Sequence, residues 1–112
     1  MAKTFRDIGY QHAKTTRQAS RLLDDCKIDI AFTPYNIQCK SVLANINYTT
    51  IFKEMKKSLI DNFPKDDSIH DKPLIICHKR GRTSEEHHVV LKFNDFINLI
   101  SKIKEYEIIN DK

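Results

Sequence analysis

The stretch SRLLDDCKIDIAFTPYNIQCKS, Ser20–Ser41, decides how the rest of the chain is read. It contains two short apolar runs, Ile28–Phe32 and Tyr35–Val42, separated by Thr33-Pro34. Period-two alternation and β-branched content predict two strands joined by a turn. The polar residues within them are out of place for a simple core. Asp29 sits between Ile28 and Ile30, and Gln38 and Lys40 interrupt the second run. Two residues apart on one strand, Gln38 and Lys40 leave from the same face. If the turn pairs the strands, Asp29 comes alongside. A carboxylate, an amide oxygen and an ammonium facing one point can hold a hard divalent cation and a phosphate. The competing expectation is that this face is simply the solvated side of an antiparallel sheet.

Asp29, a short gap, and then Gln38-Cys39-Lys40-Ser41 together resemble the core motif of the PD-(D/E)XK nuclease superfamily. The flanking text from Arg17 to Asp29, followed by Asn36–Lys40, is similar to Holliday junction resolvases of phage and archaeal type. The resemblance extends from about Gly9 to Ile103. It implies an α/β (α+β), restriction-endonuclease-like fold with a central mixed sheet flanked by helices. It also implies Mg²⁺ or Mn²⁺ held by Asp29, the Gln38 side-chain oxygen and the Cys39 carbonyl, with Lys40 acting on the attacking water or on charge at the phosphorus. Arg17, Ser20 and Arg21 match positions near the scissile phosphate. The expected partners are branched DNA and a second copy of the chain in a two-fold homodimer. The chain departs from the family in two respects. Gln38 stands where an acid is usual, and residues 1–23 contain no Glu. A nuclease-fold protein that binds nucleic acid or a protein without cutting therefore stays open beside the enzyme.

The 112 residues suit one domain that buries about two thirds of its unfolded surface. With two glycines and three prolines, no long disordered linker is expected. No apolar run is long enough to span a membrane, and the polar, basic start lacks a signal-peptide core. Cys26, Cys39 and Cys77 have no metal-ligand spacing and read as reduced thiols of a cytoplasmic protein. The net charge is +4, and residues 1–21 carry all of it, with five basic residues against Asp7. A basic quarter beside the motif suits a polyanion, and Lys14 belongs to it.

Elsewhere, residues 2–8 read as a helix ending at Gly9, and Tyr10–Thr16 as extended chain. Asp24 and Asp25 read as turn residues. Tyr48, Ile51, Phe52, Met55, Leu59 and Phe63 form one stripe of a helix over Asn47–Phe63, with Asn47 as its N-cap. Lys65–Lys72 is a polar loop. Pro73–His78 and His87–Phe93 read as a hairpin whose tip carries Lys79, Arg80 and Arg82, a basic cluster suited to a DNA backbone; Ser41 joins the nucleic-acid set through the motif. His87 and His88 point to opposite strand faces and cannot share one ion without a bulge. Asn94 is expected to cap a last helix, Asp95–Glu107, with Phe96, Leu99, Ile100 and Ile103 on its apolar face.

Overall fold

The computed structural model describes residues 2–20, 23–24 and 26–110. Among them the order is α1 (Ala2–Asp7), β1 (Lys14–Thr15), α2 (Thr16–Ala19), β2 (Ile30–Ala31), β3 (Asn36–Lys40), α3 (Tyr48–Asn62), α4 (Asp67–His70), β4 (Leu74–Lys79), β5 (His87–Leu91) and α5 (Phe93–Asn110). The strands form one mixed sheet in the order β1-β2-β3-β4-β5. β3 and β4 run parallel in the register Gln38–Ile76, Cys39–Cys77 and Lys40–His78, and every other pair is antiparallel. The expected mixed sheet with flanking helices is present.

α1 ends where Gly9 allows it to. Gly9 takes φ +121°, and its N–H donates to Arg6 O while the Tyr10 N–H reaches back to Phe5 O at 2.9 Å. This is a Schellman closure, and the Phe5 and Tyr10 rings provide its hydrophobic contact at 6.1 Å between centroids. Phe5, Tyr10 and Tyr35 then pack over Ala13, Ile30, Ile37 and Cys77 on one sheet face.

The other face belongs to α3. Its Asn47 N-cap accepts the Thr50 N–H at 3.1 Å, as expected from the sequence. Phe52, Met55 and Leu59 are buried against Ile28, Leu74 and Ile76, with Cys26 between them. Asn36 ties β3 to α4 by donating from Nδ2 to Ile69 O at 2.9 Å.

Several sequence expectations are corrected. The first motif strand keeps ladder geometry only at Ile30–Ala31, because Lys27 and Phe32 adopt φ of 67° and 64°. Thr16 opens the short helix α2 instead of ending a strand, and α4 interrupts the loop between Lys65 and Lys72. α5 begins at Phe93, so Asn94 lies inside its first turn and does not cap it. The apolar side of α5 is also exposed, with Phe93 at 73 % and Ile103 at 51 %.

Met55 is fully buried. Met55→Ala is expected to lower stability by about 2–5 kcal/mol through the cavity it leaves. Gly9→Ala meets open space, so only its backbone conformation is penalised, by about 1–2 kcal/mol. Urea denaturation of the two variants measures both, and the larger loss is expected from Met55.

Candidate active site

The site begins with an irregularity in the first motif strand. In a regular strand Ile28 and Ile30 would share a face. Here Ile28 is buried under α3 and Ile30 on the opposite side, under α1 and its neighbours. The hydrogen bonding shows why. Ile30 is the ladder partner of Ile37, yet the Asp29 N–H also donates to Ile37 O at 2.7 Å. Two consecutive residues thus address one residue of β3, which is a β-bulge, a device that re-aims a side chain.

The re-aimed side chain is the Asp29 carboxylate. Its Oδ2 accepts the backbone N–H of Cys39 at 2.6 Å, placing the carboxylate on β3 between Gln38 and Lys40. Thr16 holds Asp29 from the other side. The Thr16 N–H donates to Asp29 O at 3.0 Å, and the Thr16 hydroxyl donates to Ile28 O at 2.6 Å, within reach of Asp24 Oδ1 at 3.2 Å. The peptide N–H, carbonyl and side chain of Asp29 each have a partner, so its position is over-determined.

Burial raises the Asp29 pKa above the ordinary carboxylate value. The Cys39 N–H opposes that rise, the Asp24 charge adds to it, and Lys40 and Arg17 also pull it down. Because the folded value is the higher one, protonated Asp29 favours the fold. That contribution is complete below the unfolded aspartate pKa and is lost as pH rises through the folded one. The carboxylate is only partly solvated, and the nearby Lys40 and Arg17 charges favour its ionised form.

Gln38 rules out the reading of a simply solvated face. It is only 6 % exposed, and its Oε1 is the one buried side-chain N or O without a hydrogen-bond partner among the described residues. By register it lies beside Ile76 on the α3 side of the sheet. Lys40 and Asp29 are half-buried. Lys40 is level with His78, whose ring is fully enclosed between the Tyr48 hydroxyl at Nδ1 and Val42 O at Nε2, both at 2.9 Å. Both His78 nitrogens are therefore in use within the fold. The side chains of His87 and His88 alternate across β5, and His87 Nε2 reaches Gly81 O at 3.1 Å. Among the described residues no three His, Cys, Asp or Glu side chains gather as a metal cluster. The expected ligands are of another kind, one carboxylate with amide and carbonyl oxygens.

The expected nucleic-acid residues divide into groups. Ser41, Lys79, Arg80 and Arg82 come together around a cleft of about 270 Å³ at the carboxyl ends of β3 and β4. Arg80 is pinned there by two hydrogen bonds from its guanidinium to Leu43 O, at 3.1 and 3.3 Å. Ligands in sheets of parallel strands commonly bind outside such carboxyl ends. Arg17 is exposed and its charge acts on Asp29. The Ser20 hydroxyl accepts the Leu23 N–H at 3.3 Å and so caps the turn that carries Asp24. Lys14 pairs with Ala31, toward the opposite end of β3 from Lys40, and is not gathered into the site. Arg21 and Asp25 lie outside the described residues. Another cleft, of about 310 Å³ and lined in part by Lys56, Lys72 and Lys92, opens beside Pro73 and Leu74 at the far end of β4.

Cys39 and Cys77 are neighbours in register, and no disulfide joins the cysteines. The hydrogen bond between these two and the burial of Cys39 push the Cys39 thiol pKa up. Sequence reasoning did not find Thr16, Tyr48 or His78 as parts of this end of the molecule. No local pattern marks Thr16, because its partners lie 12 and 13 residues further on, at Ile28 and Asp29. No family model, curated protein or solved structure matches the chain.

Thr16→Val keeps the shape of the side chain but leaves Ile28 O without its hydroxyl donor. A stability loss of about 1–3 kcal/mol is expected, while Thr16→Ser should retain most of the stability. Chemical denaturation of both variants is the check, and equal losses would contradict the hydrogen-bonding role.

Proposed function

We propose that the chain is a Mg²⁺- or Mn²⁺-dependent endodeoxyribonuclease of the PD-(D/E)XK kind, hydrolysing phosphodiesters in branched DNA as Holliday junction resolvases do. The observation that carries this reading is the Asp29 carboxylate docked on the β3 backbone beside Gln38, whose buried oxygen lacks a donor. An orphaned buried acceptor, one residue from the amide that holds a carboxylate, fits a hard cation bound through oxygen. Asp29, Gln38 Oε1 and the Cys39 carbonyl would hold it. A bound divalent cation supplies polarisation of the phosphate and a lowered pKa for water. The remaining work falls to the chain. Lys40, half-buried at the end of β3, orients the attacking water and stabilises charge developing on the phosphate. Arg17, with Arg21 and Ser20, contacts phosphates near the scissile bond. Ser41, Lys79, Arg80 and Arg82 grip the backbone in the cleft that continues from Lys40, and Lys14 adds a more distant contact. On this reading the protein works in the cytoplasm, encoded by a phage or its host, as a homodimer able to cut two strands of a junction.

A second reading rests on the chemistry of the same site. Gln38 is neutral, and among the described residues no cluster of three acidic or His/Cys side chains gathers here, so Asp29 stands as the carboxylate offered to a cation. A protein that kept the basic cleft but not catalysis would bind nucleic acid without cutting it.

Incubation with synthetic four-way junctions, flaps and linear duplex, with and without Mg²⁺, separates the two. The enzyme reading predicts Mg²⁺-dependent cutting of branched substrates. Asp29→Ala and Lys40→Ala should each reduce it by about a hundredfold or more, the scale of losing a group that stabilises the transition state. DNA binding and the circular dichroism spectrum should persist in both variants. Salt-sensitive binding with no cutting under any of these conditions would overturn the enzyme reading in favour of the second.

A further inference from the structure

The longest helix of the described chain is also the least covered. Along α5, Phe93, Phe96, Ile97, Leu99, Ile100 and Ile103 are 39–73 % exposed, and none is buried. Together they present roughly 500 Å² of apolar surface, taking about 150–200 Å² for a fully exposed side chain of this size. That is as large as the largest patch on a typical monomer. The helix is also a poor candidate to stand alone. β-branched isoleucines recur along it, and isolated helices of this length are marginal in water even with better formers.

We propose that α5 is the two-fold interface of a homodimer, paired antiparallel with α5 of a second copy. Three observations select a second copy as the occupant. The first is self-complementarity. Phe93, Phe96, Ile100 and Ile103 recur at spacings of three, four and three, the a and d positions of a heptad seam. Antiparallel alignment about a two-fold axis sets Phe93 opposite Ile103 and Phe96 opposite Ile100, each twice, so every layer joins an aromatic ring to an isoleucine. Ile97 then meets Ile97 of the other copy on one flank of the seam, and Leu99 meets Leu99 on the other. Such reciprocity is what an isologous interface requires. The second observation is area. At the roughly 65 % apolar content of homodimer interfaces, this patch corresponds to about 800 Å² per partner, the standard size. The third is charge. Asn94, Asp95, Asn98, Ser101, Lys102 and Glu105 form the opposite face, a mixed surface unlike the basic one that seeks an anionic membrane. The charges closest to the seam are accounted for. Lys104 and Glu107 pair with each other at 4.0 Å beyond its C-terminal end, and Lys92 turns back over the Phe52 ring at 5.8 Å.

The inference deepens the nuclease reading by locating its dimer surface, yet it stands on the helix alone and is tested without DNA. Sedimentation equilibrium of the full chain at micromolar concentration should give a dimer. Ile100→Glu and Ile103→Glu should each give a monomer with an unchanged near-ultraviolet spectrum from the sheet body and reduced helical signal. Ser101→Glu, on the polar face, should remain dimeric. In a mixed isotope-labelled sample, intermolecular NOEs should join the Phe96 ring to Ile100 methyls. A monomeric wild-type chain, a dimer indifferent to both glutamate variants, the absence of those NOEs, or a monomer that sediments with anionic phospholipid vesicles would each overturn the proposal. A monomer that still cuts DNA refutes this interface and spares the nuclease reading. A dimer that fails to cut does the reverse.

Discussion

The hydrogen bond from the Cys39 N–H to the Asp29 carboxylate, 2.6 Å long, is the constraint on which this end of the molecule depends. It exists because the strand bulges at Asp29. The bulge has two structural consequences. It sends Ile28 and Ile30 to opposite faces, so one short segment anchors both hydrophobic cores. It also replaces a ladder contact with a carboxylate contact, leaving an ionisable group at the edge of the buried sheet. Thr16 makes the arrangement stable by satisfying the backbone that the bulge would otherwise strand.

From that point the parallel pairing of β3 with β4 arranges the rest. Their carboxyl ends lie level, so Lys40 and Ser41 on one strand meet Lys79 and the following arginines on the other. The buried polar groups here differ in their satisfaction. His78 and Asn36 are bonded within the fold, which makes them structural. Gln38 is not, and a buried acceptor left alone is penalised unless something external completes it. The contrast between His78 and Gln38, neighbours on the same sheet face, separates a satisfied buried group from an unsatisfied one more sharply than residue type does.

How much of this the sequence disclosed depended on the range of the interactions. α3 was legible because its stripe and its Asn47 cap are written within one helix length. β3, β4 and β5 were legible from apolar runs, and the grouping of Lys79, Arg80 and Arg82 from a hairpin tip. The bulge was not, since alternation through Ile28, Asp29 and Ile30 looks regular until Ile37 accepts a hydrogen bond from the wrong neighbour. Thr16 was invisible for the same reason. Lys14 illustrates a related failure, because charge along the chain says nothing about which end of a strand a lysine will occupy. α5 was identified as amphipathic, but periodicity shows only that a face seeks burial and not what buries it.

The most direct measurement is an NMR pH titration of the Cys39 amide. If the Asp29 carboxylate rests on that N–H in a partly desolvated site, the Cys39 amide shift will follow a titration whose midpoint lies above the ordinary aspartate value of about 3.9, and the response will vanish in Asp29→Asn. A Cys39 amide that does not move through the acid range, or that follows a midpoint at or below that value, would contradict the account.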